Sequence, residues 1–438
     1  MFRGLWRRLK PTRRRIVVYI AVFLGILLLR LALDVWAGAH LTSVSARIAP
    51  AYGGRLDAAS LSPAAVAPRE NRARIASAAA ALTDMPQEAV RRGQFTGALL
   101  GTAPADPEKR LAILRQAVIE NRLALQVLDE IESRPKTNWE IEYADGHRMR
   151  MPSLMAIRDL GNVNAAEGRV ALADLNLDEA ARRARLGLAL AGSLAQEPTL
   201  LIQLIHLAVA REQLRLVRDI LAAGDPSAEA LERLARRIEE SRADDPVLMG
   251  LVGELKIIDG TLDDIGVGAT PWSQQRESGG FGPRALAWFI RPAMRFGHAR
   301  ALGDLDQTTQ YARLRPFERE ARKLRLPNDE PQPWWWQPFS SMFVAGLGRA
   351  VTSGDEHRAM LVLAATSVAL RRCRIEKGSY PEHLDELNPV YLPDVPVDPF
   401  TGREPEYARS GAGFTVKVAV PAGTAEPTRR LLEWTVPR

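Results

Sequence analysis

The sequence predicts a mostly α-helical protein with a single N-terminal transmembrane helix, a multi-helix extracytoplasmic body that contains one β-hairpin, and a small C-terminal α+β module. Three observations support this fold class. The 438 residues are rich in Ala, Leu, Arg and Glu, which favour helices. An apolar run follows a cluster of arginines near the N-terminus. Short stretches in the body and near the C-terminus alternate polar and apolar residues, as strands do.

The apolar run extends from Ile16 to Ala39 and is interrupted by Arg30 and Asp34. As one helix from Ile16 to Gly38 it is about 35 Å long, which is enough to cross a hydrocarbon core of about 30 Å. The two charged residues are four positions apart, so they can form an ion pair on one helix face. Arg30 can also extend its side chain towards the interface. The run therefore predicts a transmembrane anchor.

The charges before the run predict its orientation. Seven Lys and Arg residues and no acidic residue occur among the first fifteen. Because cytoplasmic flanks carry the excess of Lys and Arg, we expect the N-terminus in the cytoplasm and the bulk of the chain in the periplasm of a bacterial inner membrane. A cleaved signal peptide is the alternative, since Ala37-Gly38-Ala39 resembles a cleavage site.

The charge balance disfavours nucleic acid as a partner. The chain has 59 basic and 52 acidic residues, a net charge of +7. Removing the seven basic residues of the N-terminal tail leaves 52 of each sign over residues 16–438. Binding to nucleic acid depends largely on neutralising phosphates, so the body has no net charge for that purpose. The expected partners are the membrane and proteins of the envelope, and the sequence does not predict an oligomeric state.

Composition divides the chain into six segments. Ser, Gly, Pro and Ala after the apolar run indicate a stalk, and proline breaks a later linker. The segments are a basic cytoplasmic tail (1–15), a transmembrane anchor (16–39), a stalk (40–68), a helical extracytoplasmic body (69–326), a linker (327–338), and a long helix with the α+β module (339–438).

The linker contains Trp334, Trp335 and Trp336 in succession. Three adjacent side chains cannot share one helix face, so at least one is expected to be exposed. Exposed aromatic area marks contact with lipid, glycan or another protein. The alternative is that the tryptophans cover a hydrophobic groove, and the sequence leaves both interpretations open.

Helical periodicity is strongest in the body. From Pro107 to Ile131, apolar residues recur at helical spacings and predict one long amphipathic helix. A second helix follows Pro198 and ends at Gly224, and a third begins at Ser227.

The period changes to two between Trp139 and Met151, where polar and apolar residues alternate around Asp145-Gly146. This pattern predicts the β-hairpin. Glu140, Glu142 and His147 offer two carboxylates and an imidazole, a set that can serve in acid–base catalysis. Ion pairs with the two arginines of the second arm explain the same residues, and we adopt that interpretation.

Residues 284–300 alternate arginines with Trp288, Phe289 and Phe296. A basic and aromatic helix of this kind either lies on the outer face of the membrane or packs in the core with arginines at its rim. The second interpretation is the one we favour from the sequence.

No motif for catalysis, cofactor binding or metal binding occurs in the sequence. His206 lies in an apolar helical run and is predicted to be buried and hydrogen-bonded. Cys373, the sole cysteine, is predicted to be a small buried hydrophobe, and no intramolecular disulfide can form. We therefore predict no catalytic, cofactor-binding or metal-binding residue and no cofactor. The histidines, which are not spaced like metal ligands, are His40, His147, His206, His298, His357 and His383.

Residues 357–421 contain a helix with an arginine-rich end, then Gly-x-Tyr-Pro, Leu-x-x-Leu, Tyr-Leu-Pro and Asp-Pro-Phe-Thr-Gly, and finally two predicted strands, 404–408 and 413–420. This succession resembles the soluble module of type II secretion major pseudopilins. The whole chain resembles uncharacterised membrane-anchored bacterial proteins with a helical body and such a tail. The resemblance implies a small α+β module, while the processing site and the calcium loop of the pseudopilins have no counterpart here. The matching residues are Gly378, Tyr380, Pro381, Leu384, Leu387, Tyr391, Leu392, Pro393, Asp398, Pro399, Phe400 and Gly402.

Together these features predict a membrane-anchored protein of the cell envelope with an interaction or scaffolding role. One alternative is an accessory component of a type II secretion or pilus-like system. The other is an exported hydrolase, for which a pocket bringing His147 or His206 together with carboxylates would be the sign.

Overall fold

The computed structural model describes residues 13–54, 56–85, 89–266, 281–326, 346–411, 413–419 and 432–437. The linker with Trp334, Trp335 and Trp336 and most of the predicted tail 1–15 lie outside these residues. About 70% of the structure is helical, which confirms the predicted mostly helical class. The chain forms two compact units. The described residues of the first lie in Met1–Ala58 and Leu255–Asp306, and those of the second lie in Ala59–Glu254, Gln307–Asp329 and Gly346–Arg438.

The helices of the described residues vary from one and a half to ten turns. In chain order they are α1 Arg13–Ile48, α2 Arg72–Ala81, α3 Ala89–Leu100, α4 Pro107–Glu120, α5 Arg122–Leu128, α6 Leu154–Ala173, α7 Leu177–Gly192, α8 Leu200–Ala223, α9 Ala228–Arg242, α10 Pro246–Gly266, α11 Phe281–Arg313, α12 Pro316–Ala321 and α13 Leu347–Lys377. Three strands follow, β1 Glu406–Ser410, β2 Gly413–Lys417 and β3 Glu433–Val436.

Helix α1 is longer than the predicted anchor. It continues beyond Ala39 to Ile48 and is followed by a 3₁₀ turn at Ala49–Tyr52. Among the described residues, the segment that begins at Ile16 is long and apolar enough to cross a bilayer, and its apolar window is almost entirely exposed. The first part of the predicted stalk is therefore helical.

The second unit is centred on α6, α7 and α8, which pack against one another through small residues and a buried amide network. Asn164 donates to the carbonyl of Arg183 at 2.8 Å and to Oε1 of Gln213 at 3.1 Å, and Gln213 donates to the carbonyl of Gly161 at 3.0 Å. A Cβ on Gly187 would lie 2.2 Å from the Gln213 side chain, so only glycine allows this approach. These contacts fix the relative register of the three helices.

Two of the three predicted body helices have the expected ends. Helix α8 ends at Gly224, and Ser227 caps α9 by accepting a hydrogen bond from the amide of Ala230. The single helix predicted from Pro107 is instead two helices, α4 and α5, separated at Asn121. The side chain of Asn121 exchanges hydrogen bonds with the backbone of Asp84 at 2.7 and 2.9 Å. This tertiary contact breaks a helix that local periodicity would continue.

The predicted β-hairpin at 139–151 is wrong. The described backbone there has no strand and contains a 3₁₀ turn at Tyr143–Arg148. The indole N–H of Trp139 donates to the carbonyl of Ser193 at 2.6 Å, and the hydroxyl of Tyr143 donates to Glu197. The side chains of Trp139 and Tyr143 thus anchor this segment to the α7–α8 connection, without a partner strand.

One of the two glutamates of that segment is paired differently from the prediction. Glu140 accepts from Arg74 at 2.8 Å, in place of an arginine on a second arm. The side chain of His147 lies outside the described set.

The C-terminal part forms a three-stranded antiparallel sheet in the order β1-β2-β3. Helix α13 ends at Lys377, and Gly378 caps it with a φ of 79°, the left-handed conformation that commonly terminates helices. The two predicted strands correspond to β1 and β2, whereas β3 was not predicted. In β3, Trp434 and Val436 are buried and Glu433 is exposed, so one face of the sheet packs against α13 and α8.

Gly253 of helix α10 packs so closely on the backbone of Pro198 that adding a methyl group there should destabilise the fold. A Cβ on Gly253 would lie 1.6 Å from the carbonyl oxygen of Pro198. We expect Gly253→Ala to lower the free energy of unfolding by at least about 1–3 kcal/mol, because backbone must move. Urea unfolding of the detergent-solubilised chain measures this.

Gly192, in the last turn of α7, is the matched control, since a Cβ there would meet no atom within 4 Å. Gly192→Ala is expected to be neutral or to stabilise by up to about 1 kcal/mol through helix propensity. Equal losses in both variants would contradict the packing described.

Candidate functional site

The surface of α1 is the most unusual feature of the first unit. Between Ile16 and Trp36 nearly all large apolar side chains are exposed, including Phe23, Leu28 and Val35 at 65%, 66% and 74%. Burying one such side chain is worth about 1.5–3 kcal/mol, so a surface of this size in water would carry a large penalty. The α1 surface is long and apolar enough to cross a membrane.

Arg30 lies within this apolar segment, and its side chain is buried. Arg30 is 5% exposed, and its Nη1 lies 3.3 Å from Oδ2 of Asp34, which confirms the predicted ion pair. Its Nε donates to the carbonyl of Trp288 on α11 at 3.1 Å, and its guanidinium lies 3.7 Å from the centre of the Trp288 indole. Arg30 is therefore buried against a second helix, α11.

The Trp288 carbonyl is available because of a proline one turn later. In an α-helix this carbonyl would accept from the N–H of residue 292, but Pro292 has none and its ring crowds the carbonyl. The Nε and Nη2 of Arg30 both donate to this oxygen. Pro292 thus creates the acceptor and Arg30 satisfies it.

A second arginine completes the cluster. Nη1 of Arg295 lies 3.2 Å from Oδ1 of Asp34 and donates to the Asp34 carbonyl at 3.1 Å. Asp34 is therefore shared by arginines from both helices, and the cluster carries a net charge of +1. We call Arg30, Asp34, Trp288, Pro292 and Arg295 the α1–α11 cluster.

The two helices run in the same direction. Trp288 lies beside Arg30, and the ring of Phe296 packs on Trp36 with centroids 4.8 Å apart. Further along, the hydroxyl of Tyr52 donates to Asp306 at 2.8 Å. Residue numbers therefore rise together along both helices.

Apolar residues at the beginning of this contact are exposed on α11 as well as on α1. Trp288, Phe289 and Ile290 are 37%, 56% and 40% exposed. A core helix, the interpretation favoured from the sequence, would bury them. These three side chains of α11 lie beside α1 and add to its exposed apolar surface.

The second unit contains the residues that a hydrolase would be expected to use. His206 on α8 and His357 on α13 are each 2% exposed, and their rings meet edge to face at 5.6 Å. The prediction that His206 is buried and hydrogen-bonded is confirmed, the bond being to the backbone of Ala191. Its neighbour is a second imidazole in place of the carboxylate that a general base would need for orientation.

Burial keeps both imidazoles neutral. It lowers the pKa of His206 to about 4. Burial likewise holds the pKa of His357 well below its usual range, helped by the positive charge of Arg211 and Arg358. No three His, Cys, Asp or Glu side chains of the described residues converge as metal ligands would.

Two surface clefts of the second unit are lined by charged residues of both signs. One, of about 210 Å³, lies between α9 and α13 and includes Arg236, Glu239 and Arg372 together with Tyr391-Leu392-Pro393. The other, of about 290 Å³, lies between α7 and α9. Neither lining contains a histidine or a cysteine, so neither combines a cavity with the buried imidazoles.

The Asp-Pro-Phe-Thr-Gly segment has a structural role. Asp398 is 2% exposed and accepts from the amide of Phe400 at 2.8 Å, the hydroxyl of Thr401 at 3.0 Å and the amide of Ala419 at 2.9 Å. The carboxylate closes the turn at 398–401 and joins it to the residues that follow β2. Cys373 is 1% exposed, as predicted, and burial raises the pKa of its thiol.

No protein-family model, curated protein or solved structure matches the chain. The α1–α11 cluster was not predicted as a unit, although Arg30 and Asp34 were recognised as a pair. The signal for its second half is a proline four residues after a tryptophan inside a helical pattern. Such a proline indicates a free carbonyl, but not the residue that will bind it.

The buried imidazoles predict a loss of stability in mild acid. In the unfolded chain a histidine binds a proton near pH 6.5, whereas folded His206 does so only near pH 4. Stability is therefore complete above pH 6.5 and falls as the pH drops below it, by roughly 2 kcal/mol at pH 5 for His206 alone. Urea unfolding from pH 7.5 to 5 should show this slope, reduced in His206→Gln.

The exposed His383 provides the control for that slope. His383→Gln measures what the same substitution does at a surface position. A slope that persists in full in His206→Gln would show that other groups cause it.

In the α1–α11 cluster, replacing Pro292 should reduce the loss of stability caused by replacing Arg30. Arg30→Met removes the donor from the Trp288 carbonyl and should cost about 1–3 kcal/mol of stability. Pro292→Ala supplies the missing backbone N–H, so the same Arg30→Met change should cost distinctly less in the Pro292→Ala background. Unfolding of the four proteins in detergent gives the coupling energy.

Arg47→Met is the control, because Arg47 is an exposed basic residue in the last turn of the same helix. It should show no coupling to Pro292→Ala. Additive effects of Arg30→Met and Pro292→Ala would contradict the assignment of the carbonyl as the shared acceptor.

Proposed function

We propose that this protein is a single-pass component of a bacterial inner membrane, with its N-terminus in the cytoplasm and its bulk in the periplasm, and that it acts as an interaction or scaffolding component of the envelope. The exposed apolar surface of α1 is the observation that carries the proposal. A helix of 36 residues with this surface is stable in a lipid bilayer and unfavourable in water.

The basic tail supports the proposed orientation. Seven positive charges precede Ile16, whereas the fifteen residues after Ala39 contain one, Arg47, and no acidic residue. Under the positive-inside rule, the tail stays in the cytoplasm.

The second unit supports a scaffolding role because buried ion pairs brace it. Arg319 donates to Asp355 at 2.6 Å, and Arg358 bridges Asp355 and Asp245. Both Arg319 and Asp355 are buried, and removing one partner of such a pair typically costs about 3–5 kcal/mol. A rigid helical unit of this kind suits the presentation of surfaces such as the charged clefts.

An accessory role in a type II secretion or pilus-like system is the second candidate. The specific observation in its favour is the succession from Gly378 to Gly402 that resembles major pseudopilins. Tyr391-Leu392-Pro393 of that succession line a surface cleft, in which Pro393 is exposed while Tyr391 and Leu392 are buried. The hydrolase alternative has less support, since His206 faces His357 and neither described cleft contains a histidine.

The first experiment is N-terminal sequencing of the mature protein after the cells are separated into membrane and soluble envelope fractions. We expect an intact Met1-Phe2-Arg3 start, recovered only in membranes and resistant to alkaline carbonate extraction. A start at His40 in the soluble fraction would overturn the proposal in favour of a secreted protein.

Protease treatment tests the orientation. In spheroplasts, external protease should digest the second unit while an epitope before Arg3 stays protected. Digestion only after cell lysis would reverse the proposed topology.

Affinity purification from crosslinked membranes tests the secretion role. The full chain should retain major pseudopilins or platform components, and an unrelated single-pass inner-membrane protein serves as the control. Equal recovery with the control would remove this candidate and leave the general envelope role.

A further inference from the structure

We infer that the part of α11 at 288–290 lies within the outer leaflet beside α1, so that two helices of the chain contact lipid. This inference rests on the proposed membrane anchor and extends it. The exposed face of α11 is covered by lipid, both acyl chains and the headgroup region. Both helices belong to the first unit.

Depth along α1 supports this placement. Fourteen residues separate Ile16 from Arg30, which corresponds to about 21 Å of helix. If Ile16 marks the cytoplasmic boundary of a core of about 30 Å, Arg30 lies roughly 9 Å inside the opposite boundary. Trp288 contacts Arg30 directly and therefore shares its depth.

The hydrogen bonding of the α1–α11 cluster fits a site without water. A helix interrupted by Pro292 exposes a carbonyl that water would satisfy at a wet surface. Inside a bilayer such a carbonyl needs a partner from the protein. Arg30 donates the hydrogen bond that the Trp288 carbonyl needs. Asp34 in turn forms the ion pair that a buried arginine needs.

The side chains on the outside of the cluster have the chemistry of a lipid contact. Phe289 and Ile290 are exposed and apolar, and Trp288 is the residue type enriched at membrane interfaces. They continue the apolar surface of α1 at the same depth, with the cluster's charges turned inwards between the helices. A separate protein partner is a different occupant, which the experiment below distinguishes.

Spin labelling of the full chain in phospholipid nanodiscs tests the inference. The sole cysteine, Cys373, is replaced by alanine, and single cysteines are placed at Phe289, at Val22 and at Ala46. Val22 is an exposed α1 residue within the apolar run, and Ala46 is exposed near the end of α1. Collision rates with oxygen, which enters lipid, and with a water-soluble nickel chelate are measured at each site.

We expect the Phe289→Cys label to behave as the Val22→Cys label does, with high oxygen accessibility and severalfold lower nickel accessibility than at Ala46→Cys. A label at Phe289→Cys as accessible to nickel as the one at Ala46→Cys would overturn the inference. A label inaccessible to both reagents would also overturn it, since protein would then cover the face.

The parallel direction of the helices gives an internal check. Ala293→Cys lies one turn after Phe289, on an exposed position of α11. Its label should be about 6 Å shallower, because α11 rises towards the outer surface with α1. A reversed depth order would contradict the geometry, and it remains readable if Phe289→Cys does not fold.

The positive control separates this inference from the proposed anchor. If the Val22→Cys label is itself open to the nickel chelate, the membrane anchor is wrong. If Val22→Cys is in lipid and Phe289→Cys is in water, the anchor stands and only the inference about α11 is wrong.

Discussion

The contact between Arg30 and the Trp288 carbonyl holds the first unit together. It joins positions 258 residues apart in the chain, and it places a charged side chain inside the most apolar segment of the protein. An arginine in such a place is unfavourable unless every donor has a partner. Asp34, the Trp288 carbonyl and the indole ring supply those partners, and α11 is thereby fixed to α1 in one register.

The second unit uses the same principle with different residues. It has no disulfide, because the chain contains only Cys373. Buried polar groups connect its helices instead: Arg183 of α7, which is 4% exposed, pairs with Glu179 on its own helix, with Glu167 on α6 and with Asp129 at the end of α5. Hydrophobic packing alone permits helices to slide, whereas a buried charge has a full set of partners in one arrangement only.

Local signals predicted the parts of the fold that local interactions determine. The end of α8 at Gly224 and the start of α9 at Ser227 both depend on residues within a few positions of one another. Tertiary contacts decided the rest. Asn121 breaks a periodic helix by hydrogen bonding to Asp84. The side chains of Trp139 and Tyr143 are turned into the body by hydrogen bonds to Ser193 and Glu197, without a neighbouring strand. The α1–α11 cluster belongs to this second kind, since neither half of it indicates its partner.

The separation of Arg30 from Trp288 also imposes an order of events during synthesis. At about 5–20 residues per second, α11 is made roughly 13–50 s after α1. Throughout that interval Asp34 is the only partner in the cluster that Arg30 can have. Because these two residues are four positions apart on one helix, Asp34 can neutralise the charge of Arg30 from the time α1 forms until α11 has been made.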